Sequence, residues 1–125
     1  MKDGLKEING LDGVWGSFIA NNRGEVLLSH TPPQLKEQVL EAVSSQVIEL
    51  IVSSGDQLKE LSEMVFHFSQ RIFFVIDLRK AILAVVCTPS VDLSLLRMTV
   101  NVICTGWDED PKVQTYLERN NLERV

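Results

Sequence analysis

The stretch Ser62 to Thr88, SEMVFHFSQRIFFVIDLRKAILAVVCT, constrains the fold of this chain more than any other. It holds three apolar runs, Met64 to Phe68, Ile72 to Ile76 and Ala81 to Cys87. The polar breaks between them are only Ser69-Gln70-Arg71 and Asp77-Leu78-Arg79-Lys80. Runs of this length, rich in Val, Ile and Phe, predict β-strands, and breaks of three or four residues suit hairpins but are too short for a parallel crossover. In the last two runs every position is apolar, so Phe73 and Val75 point one way while Ile72, Phe74 and Ile76 point the other. Both faces of the resulting antiparallel sheet therefore require cover, which predicts helices on both sides.

The remaining segments supply those helices and two more strands. In the opening MKDGLKEINGLDG, Leu5, Ile8 and Leu11 predict a short helix ended by Gly10 and Gly13. Val14 to Ala20 predicts a strand with Val14, Gly16, Phe18 and Ala20 on one side and Trp15, Ser17 and Ile19 on the other. A turn at Asn21-Asn22-Arg23-Gly24 returns the chain as a strand over Glu25 to Ser29, with Gly24 free to take a positive φ. Thr31 and Gln34 stand at capping-box spacing around Pro32-Pro33, predicting a helix from there to about Ser53, closed by Gly55. Its inward stripe is expected at Leu35, Val39, Val43, Val47 and Ile51, widened by Leu40, Ile48 and Leu50.

Asp56 to Leu61 then leads into the three central strands. Beyond them, Ser90 or Asp92 caps a helix carrying Leu93, Leu96, Val100, Ile103 and Trp107 on one stripe and Leu95, Met98 and Val102 on a second. A helix apolar over more than half its circumference must lie deep in the protein or under another subunit. Asp108-Glu109-Asp110-Pro111 ends it and caps a short, largely polar helix, Lys112 to Arg119, expected at the surface. The order α-β-β-α-β-β-β-α gives an α+β fold, a five-stranded antiparallel sheet sandwiched between helices. One domain over residues 1–125 is expected, with the short extra helix at about 111–119.

Composition narrows function by exclusion. At 125 residues the chain can bury a real core, and 45% apolar with 23% charged residues is ordinary for a globular protein. A net charge of -5 with basic residues scattered singly offers no footprint for nucleic acid. Met1 to Gly10 does not resemble a signal peptide, and no apolar run approaches the roughly 20 residues of a membrane span. A cytoplasmic protein without membrane insertion is expected. Cys87 and Cys104 lack the spacing of a zinc or redox site and read as buried free thiols. His30 and His67 have no Cys, Asp or Glu at ligand spacing, and the glycines form no phosphate-binding loop. No catalytic residue, cofactor or metal site is expected.

The strand Glu63 to Ser69 sets Met64, Phe66 and Phe68 on one face and Glu63, Val65, His67 and Ser69 on the other, with no proline or lysine to blunt it. At a sheet edge it would be adhesive, and pairing with its own copy about a two-fold axis would satisfy its free backbone groups. Full burial of Met64, Phe66 and Phe68 would contribute roughly 1.5 to 3 kcal/mol each. An internal strand with ordinary core rings is the competing possibility.

Asp12-Gly13-Val14-Trp15-Gly16-Ser17-Phe18-Ile19 and Arg23-Gly24-Glu25-Val26-Leu27 look like the first hairpin of the Roadblock family, named for a dynein light chain and including bacterial and archaeal regulators of Ras-like GTPases. Ala81-Ile82-Leu83-Ala84-Val85-Val86 and Asp92-Leu93-Ser94-Leu95-Leu96-Arg97 are similar to its last strand and the opening of its final helix. Asp92 stands where Asn is common, the first helix is shorter than usual, and the tail from Asp108 carries no family motif. The resemblance implies a dimer joined through the middle strand, with the long helices side by side over the joined sheet. That places Glu63, Met64, Val65, Phe66, His67 and Phe68, together with Val43, Val47 and Leu50, at the interface. It further implies a non-catalytic homodimeric adaptor, a scaffold for protein-protein interaction that binds a Ras-like small GTPase and modulates its GTP hydrolysis or localisation, in some members as a GTPase-activating protein. A small-molecule-sensing domain of PAS or profilin-like layering is the alternative. The two differ in whether Phe66, Phe68, Phe73 and Phe74 line a closed cavity or a two-fold seam.

Overall fold

The computed structural model describes residues 1–53, 63–68 and 70–122, with the side chains of Phe68, Asn121 and Leu122 excepted. Its elements run α1 (Lys2–Asn9), β1 (Val14–Asn21), β2 (Val26–His30), α2 (Glu37–Ser53), β3 (Glu63–Phe68), β4 (Arg71–Asp77), β5 (Ala81–Cys87), α3 (Leu93–Glu109) and α4 (Pro111–Leu122). The expected helix stop at Gly55, the approach Asp56 to Leu61 and Ser69 lie outside the described residues. The five strands form one antiparallel sheet in the order β2-β1-β5-β4-β3. This is the five-stranded α+β sandwich that the apolar runs predict.

The alternation of β4 and β5 divides the core into two layers. Ile72, Phe74, Ile76, Leu83 and Val85 pack with Leu5 and Ile8 of α1, with Leu96, Val100, Ile103 and Trp107 of α3, and with Val113 and Leu117 of α4. Phe73, Val75, Ile82, Ala84 and Val86 pack on the other face with Leu40 and Val47 of α2. β5 is buried along its whole length because strands flank it and helices cover both its faces.

Four local expectations are corrected. In β1 the pairing with β5 slips between Val14 and Gly16, a β-bulge that flips the phase. Val14 therefore joins the α1/α3 layer and Trp15 the α2 layer, opposite to strict alternation. The bulge sits where Thr31 and Pro32 cross Gly16; a Cβ there would lie 2.9 Å from the Thr31 methyl.

That crossing also explains the second correction. Thr31 is committed to packing over Gly16 and does not cap α2; the chain turns at Pro32 through Leu35 (Leu35 N donating to the Pro32 carbonyl, 2.9 Å), and the helix opens at Glu37. Third, the inward face of α2 is Leu40, Ser44 and Val47 with Ile51 beside them, whereas Val39 is 46% exposed. A strict interval of four drifts around a helix of 3.6 residues per turn, so Val39 and Val47 cannot both face the sheet squarely. Ser44, buried in that face, donates to the Leu40 carbonyl at 2.7 Å.

Fourth, α4 is longer than Lys112 to Arg119 and is docked. Val113 and Leu117 are buried one turn apart, and Lys80 in the β4-β5 turn reaches Gln114 (2.9 Å) and Glu118 (2.7 Å). Two buried aliphatics at i and i+4 suffice to seat a helix that is polar on its remaining faces. The predicted caps hold at α3, where Asp92 Oδ1 accepts from Leu95 N at 3.1 Å, and Pro111 opens α4, a first-turn position that needs no N–H.

The first hairpin forms as predicted, through Asn21 and Gly24. Asn21 is buried and its Oδ1 accepts from Arg23 N (2.9 Å) and Glu25 N (3.0 Å), an Asx-type turn that satisfies the reversing backbone. Gly24 has φ +85° and abuts the backbone of Ser45, so this turn is also where α2 rests on the hairpin.

Candidate docking edge and helix platform

Only β4 pairs with β3 among the described residues, so β3 borders the sheet. The pairs Met64 with Val75 and Phe66 with Phe73 stand on the α2 face, and Glu63 with Ile76, Val65 with Phe74 and His67 with Ile72 on the other. This is the alternation that the sequence predicts. Phe73 and Val75 are buried, whereas Met64, Val65 and Phe66 are only half-buried and His67 is exposed. The chain thus spends part of each of these edge side chains on its own core and leaves the remainder exposed.

The edge is held rigidly to the layer behind it. Arg97 of α3 grips Glu63 along one edge of its guanidinium: Nε lies 2.8 and 2.9 Å from Oε1 and Oε2, and Nη2 lies 2.7 Å from Oε2. Such a fork-to-fork geometry fixes direction as well as distance. The hydrogen bonds and charge of Glu63 raise the Arg97 pKa above its ordinary value. At the opposite end of β4, Arg71 lies over the Trp15 ring, 4.3 Å from its centroid, with its Nε buried and without a hydrogen bond.

The closest approaches of α2 to the sheet are to β1 and β2. Ser45, on one flank of α2, rests on Gly24, so the flank bearing Val39, Val43 and Leu50 looks away from the β1-β2 turn. Leu50 is 41% exposed and Val43 half-buried. Val47, grouped with them in the sequence reading, is 3% exposed and sits in the core against the sheet. It has no surface left for a partner. Val39, which the sequence reading turned inward, takes its place on the flank; only the helical phase, set by Leu40 and Ser44, distinguishes the two.

Phe73 and Phe74 diverge to opposite core layers, so the aromatic run does not line one cavity. Phe68 belongs to β3, but its ring lies outside the described residues. His30 is exposed and contributes its carbonyl, which accepts from Asn9 Nδ2 at 2.7 Å. Among the described residues no group of three or more His, Cys, Asp or Glu converges, and no helix is long and apolar enough to cross a membrane.

Cys87 and Cys104 are free and buried, and burial pushes both thiols up to about 12, with the nearby Asp108 adding to the effect at Cys104. Neither is a nucleophile at neutral pH. The raised values fix the sign of a pH effect: above about pH 9 the unfolded thiols ionise while the folded ones keep their protons, so stability is lost as pH rises from about 9 towards 12. Alkylation of the native protein at pH 8 should be negligible over hours and complete within minutes in denaturant, as read by intact mass.

A family model described as the Roadblock/LC7 domain matches residues 2–87, from α1 through β5. The chain belongs to the Roadblock/LC7 domain family. The fold agrees with solved structures of the same class. A Roadblock/LC7 domain from Streptomyces avermitilis superposes with a TM-score of 0.71 at 12% identity, covering 94% of this chain and 98% of that one. The gliding protein MglB from Thermus thermophilus gives 0.68 at 16% identity over 82% of each chain. MglC from Myxococcus xanthus gives 0.60 at 12% identity, over 92% and 97%. No curated protein matches the chain. In this Roadblock domain α3 and α4 lie beyond the matched family segment, yet both complete the core of one sheet face.

Proposed function

We propose that this Roadblock protein is a non-catalytic adaptor that dimerises through β3 and presents the joined sheet and paired α2 helices to a Ras-like small GTPase. The observation that carries the proposal is the edge position of β3, with Met64 and Phe66 half-buried on the face shared with α2. A two-fold axis normal to the sheet pairs β3 with its copy in antiparallel fashion, extends the sheet across the two copies and brings both α2 helices onto one face. The exposed Leu50 and the half-buried Val43 then gain a setting in which a second helix covers them. GTPase binding enters from the family and from the kind of surface this makes: broad, rigid, with apolar ground between charged helix flanks. Such a surface acts by holding the GTPase's own switch segments in one arrangement, changing the rate of hydrolysis without contributing a catalytic group.

The test is titration of the purified dimer against purified Ras-like GTPases of the source cell, each loaded with GDP or with a non-hydrolysable GTP analogue. At least a tenfold preference for one nucleotide state is expected, together with a changed single-turnover rate or a changed location of the GTPase in cells. Absence of binding in both states at tens of micromolar would overturn the assignment.

A further inference from the structure

The two faces of β3 restrict how it can meet its own copy. Glu63, Val65 and His67 stand on the α3 side of the sheet, and Met64 and Phe66 on the α2 side. A two-fold axis normal to the sheet keeps each set on its side, and residues opposite each other in an antiparallel pair share a face. The axis therefore passes through a residue, never between two neighbours. Within Glu63–Phe68, only an axis at Val65 or at Phe66 pairs five residues of each copy.

On the α2 side both registers make apolar pairs. An axis at Val65 sets Met64 opposite Phe66 of the other copy; an axis at Phe66 sets Phe66 opposite itself and Met64 opposite Phe68. The α3 side separates the two. With the axis at Val65, Glu63 of each copy stands opposite His67 of the other, an acid against a hydrogen-bond donor, whereas with the axis at Phe66 the imidazole stands opposite Val65. Complementary polar groups directly opposed are the favourable cross-strand arrangement.

Glu63 is prepared for that neighbour. Arg97 holds its carboxylate, half-buried, with Oε2 taking two of the three contacts and Oε1 one. A carboxylate has about four acceptor positions, so Oε1 still has one for a further donor. His67 is exposed on the same strand, and an imidazole carries an N–H in either protonation state. Because Arg97 has already ordered the carboxylate, the pair forms without the entropic cost of fixing it.

We infer that Glu63, held by Arg97, and His67 of the opposite copy set the register of the β3 pairing, with Val65 on the two-fold axis. The inference rests on the dimer of the preceding subsection and names what makes a second copy of this chain the fitting partner: the edge offers an oriented acid at one end and a donor four residues on, so two identical edges satisfy each other twice.

Cysteine cross-linking tests the register directly, and Cys87 and Cys104 do not interfere because both are buried. With the axis at Val65, Val65→Cys brings two cysteines directly opposite each other, within disulfide reach, and mild oxidation should convert most of the protein to a covalent dimer. In the same register Val65→Cys mixed with His67→Cys sets the two thiols on a diagonal of about 7 to 8 Å and should give no hetero-disulfide. An axis at Phe66 exchanges the two results. Sedimentation supplies the energetic arm. His67→Glu should raise the dimer dissociation constant about tenfold, since like charges then stand opposite each other at two places. Glu63→Gln should weaken the wild-type dimer but strengthen that of His67→Glu, recovering most of its loss. A hetero-disulfide in place of the Val65→Cys one, or an effect of Glu63→Gln with the same sign in both backgrounds, overturns the inference and leaves the β3 dimer standing. No disulfide in either arm overturns the β3 dimer as well.

Discussion

Phe66→Asp is expected to raise the dissociation constant of the β3-linked dimer at least a thousandfold, leaving β3-mediated pairing absent at micromolar concentration. Phe66 lies on the border strand opposite Phe73, half-buried by its own protomer, so the area it retains is what a partner strand would cover. Its loss removes about half of the roughly 1.5 to 3 kcal/mol that burying a whole side chain contributes, and a carboxylate placed in the seam adds a desolvation cost of several kcal/mol. The two-fold axis repeats both terms. Their sum exceeds the roughly 4 kcal/mol that a thousandfold change requires. Because Phe66 also packs on Phe73, the protomer should melt lower, and Leu50→Glu serves as the companion variant: its side chain is solvent-facing, so weakened association with an unchanged melting temperature is expected. Mass in solution and thermal melting read both variants. Undiminished β3-linked assembly of both would move the interface elsewhere.

Gly24→Ala is expected to destabilise the protein by about 2 to 4 kcal/mol, a fall in melting temperature on the order of 10 °C. Gly24 holds φ +85°, a region that costs a residue with a Cβ roughly 1 to 2 kcal/mol. The new methyl would stand 2.5 Å from Ser45 Oγ and 3.1 Å from Ser45 Cα, so a hydroxyl must rotate and a helix backbone must retreat. Forced shifts of this kind cost about 1 to 3 kcal/mol more. The displaced element is α2, so the variant should bind a GTPase less tightly than its residual folded fraction accounts for. Thermal denaturation together with titration at a temperature where the variant remains folded separates the two effects. A melting temperature within about 2 °C of wild type would contradict the seat assigned to this glycine.

Most of the architecture was legible because the strongest signals in the chain are also the least ambiguous. β4 from Ile72 to Ile76 and the whole of β5 are apolar at every position, which calls for a strand covered on both faces, and the helix after them is apolar over more than half its circumference. The edge position of β3 was one of two possibilities, and among the described residues β3 pairs with β4 alone. What escaped the sequence was phase. Trp15 reverses its side through a bulge beside the point where Thr31 and Pro32 pack on Gly16, residues distant enough along the chain that no local pattern announces the contact. Val39 and Val47 look alike at spacing four, and only Ser44, a polar residue buried by bonding to its own helix, reveals which line faces inward. α4 failed for the opposite reason: Val113 and Leu117 are a weak signal, but the core already offered them a seat beside Trp107. The same loss of phase put Val47, which is buried in the core, among the expected surface residues and Val39, which is exposed, on the inward stripe.

Amide hydrogen exchange along β3, measured above and below the concentration at which the protein dissociates, tests the central claim most directly. In an antiparallel strand alternate N–H groups point to opposite sides, so about half of those in Glu63–Phe68 bond to β4 and half face outward. The account predicts slow exchange for both sets in the assembled protein and, on dilution, selective loss of protection in the outward set. Outward amides that exchange freely at every concentration, while the molecule remains a dimer, would contradict it.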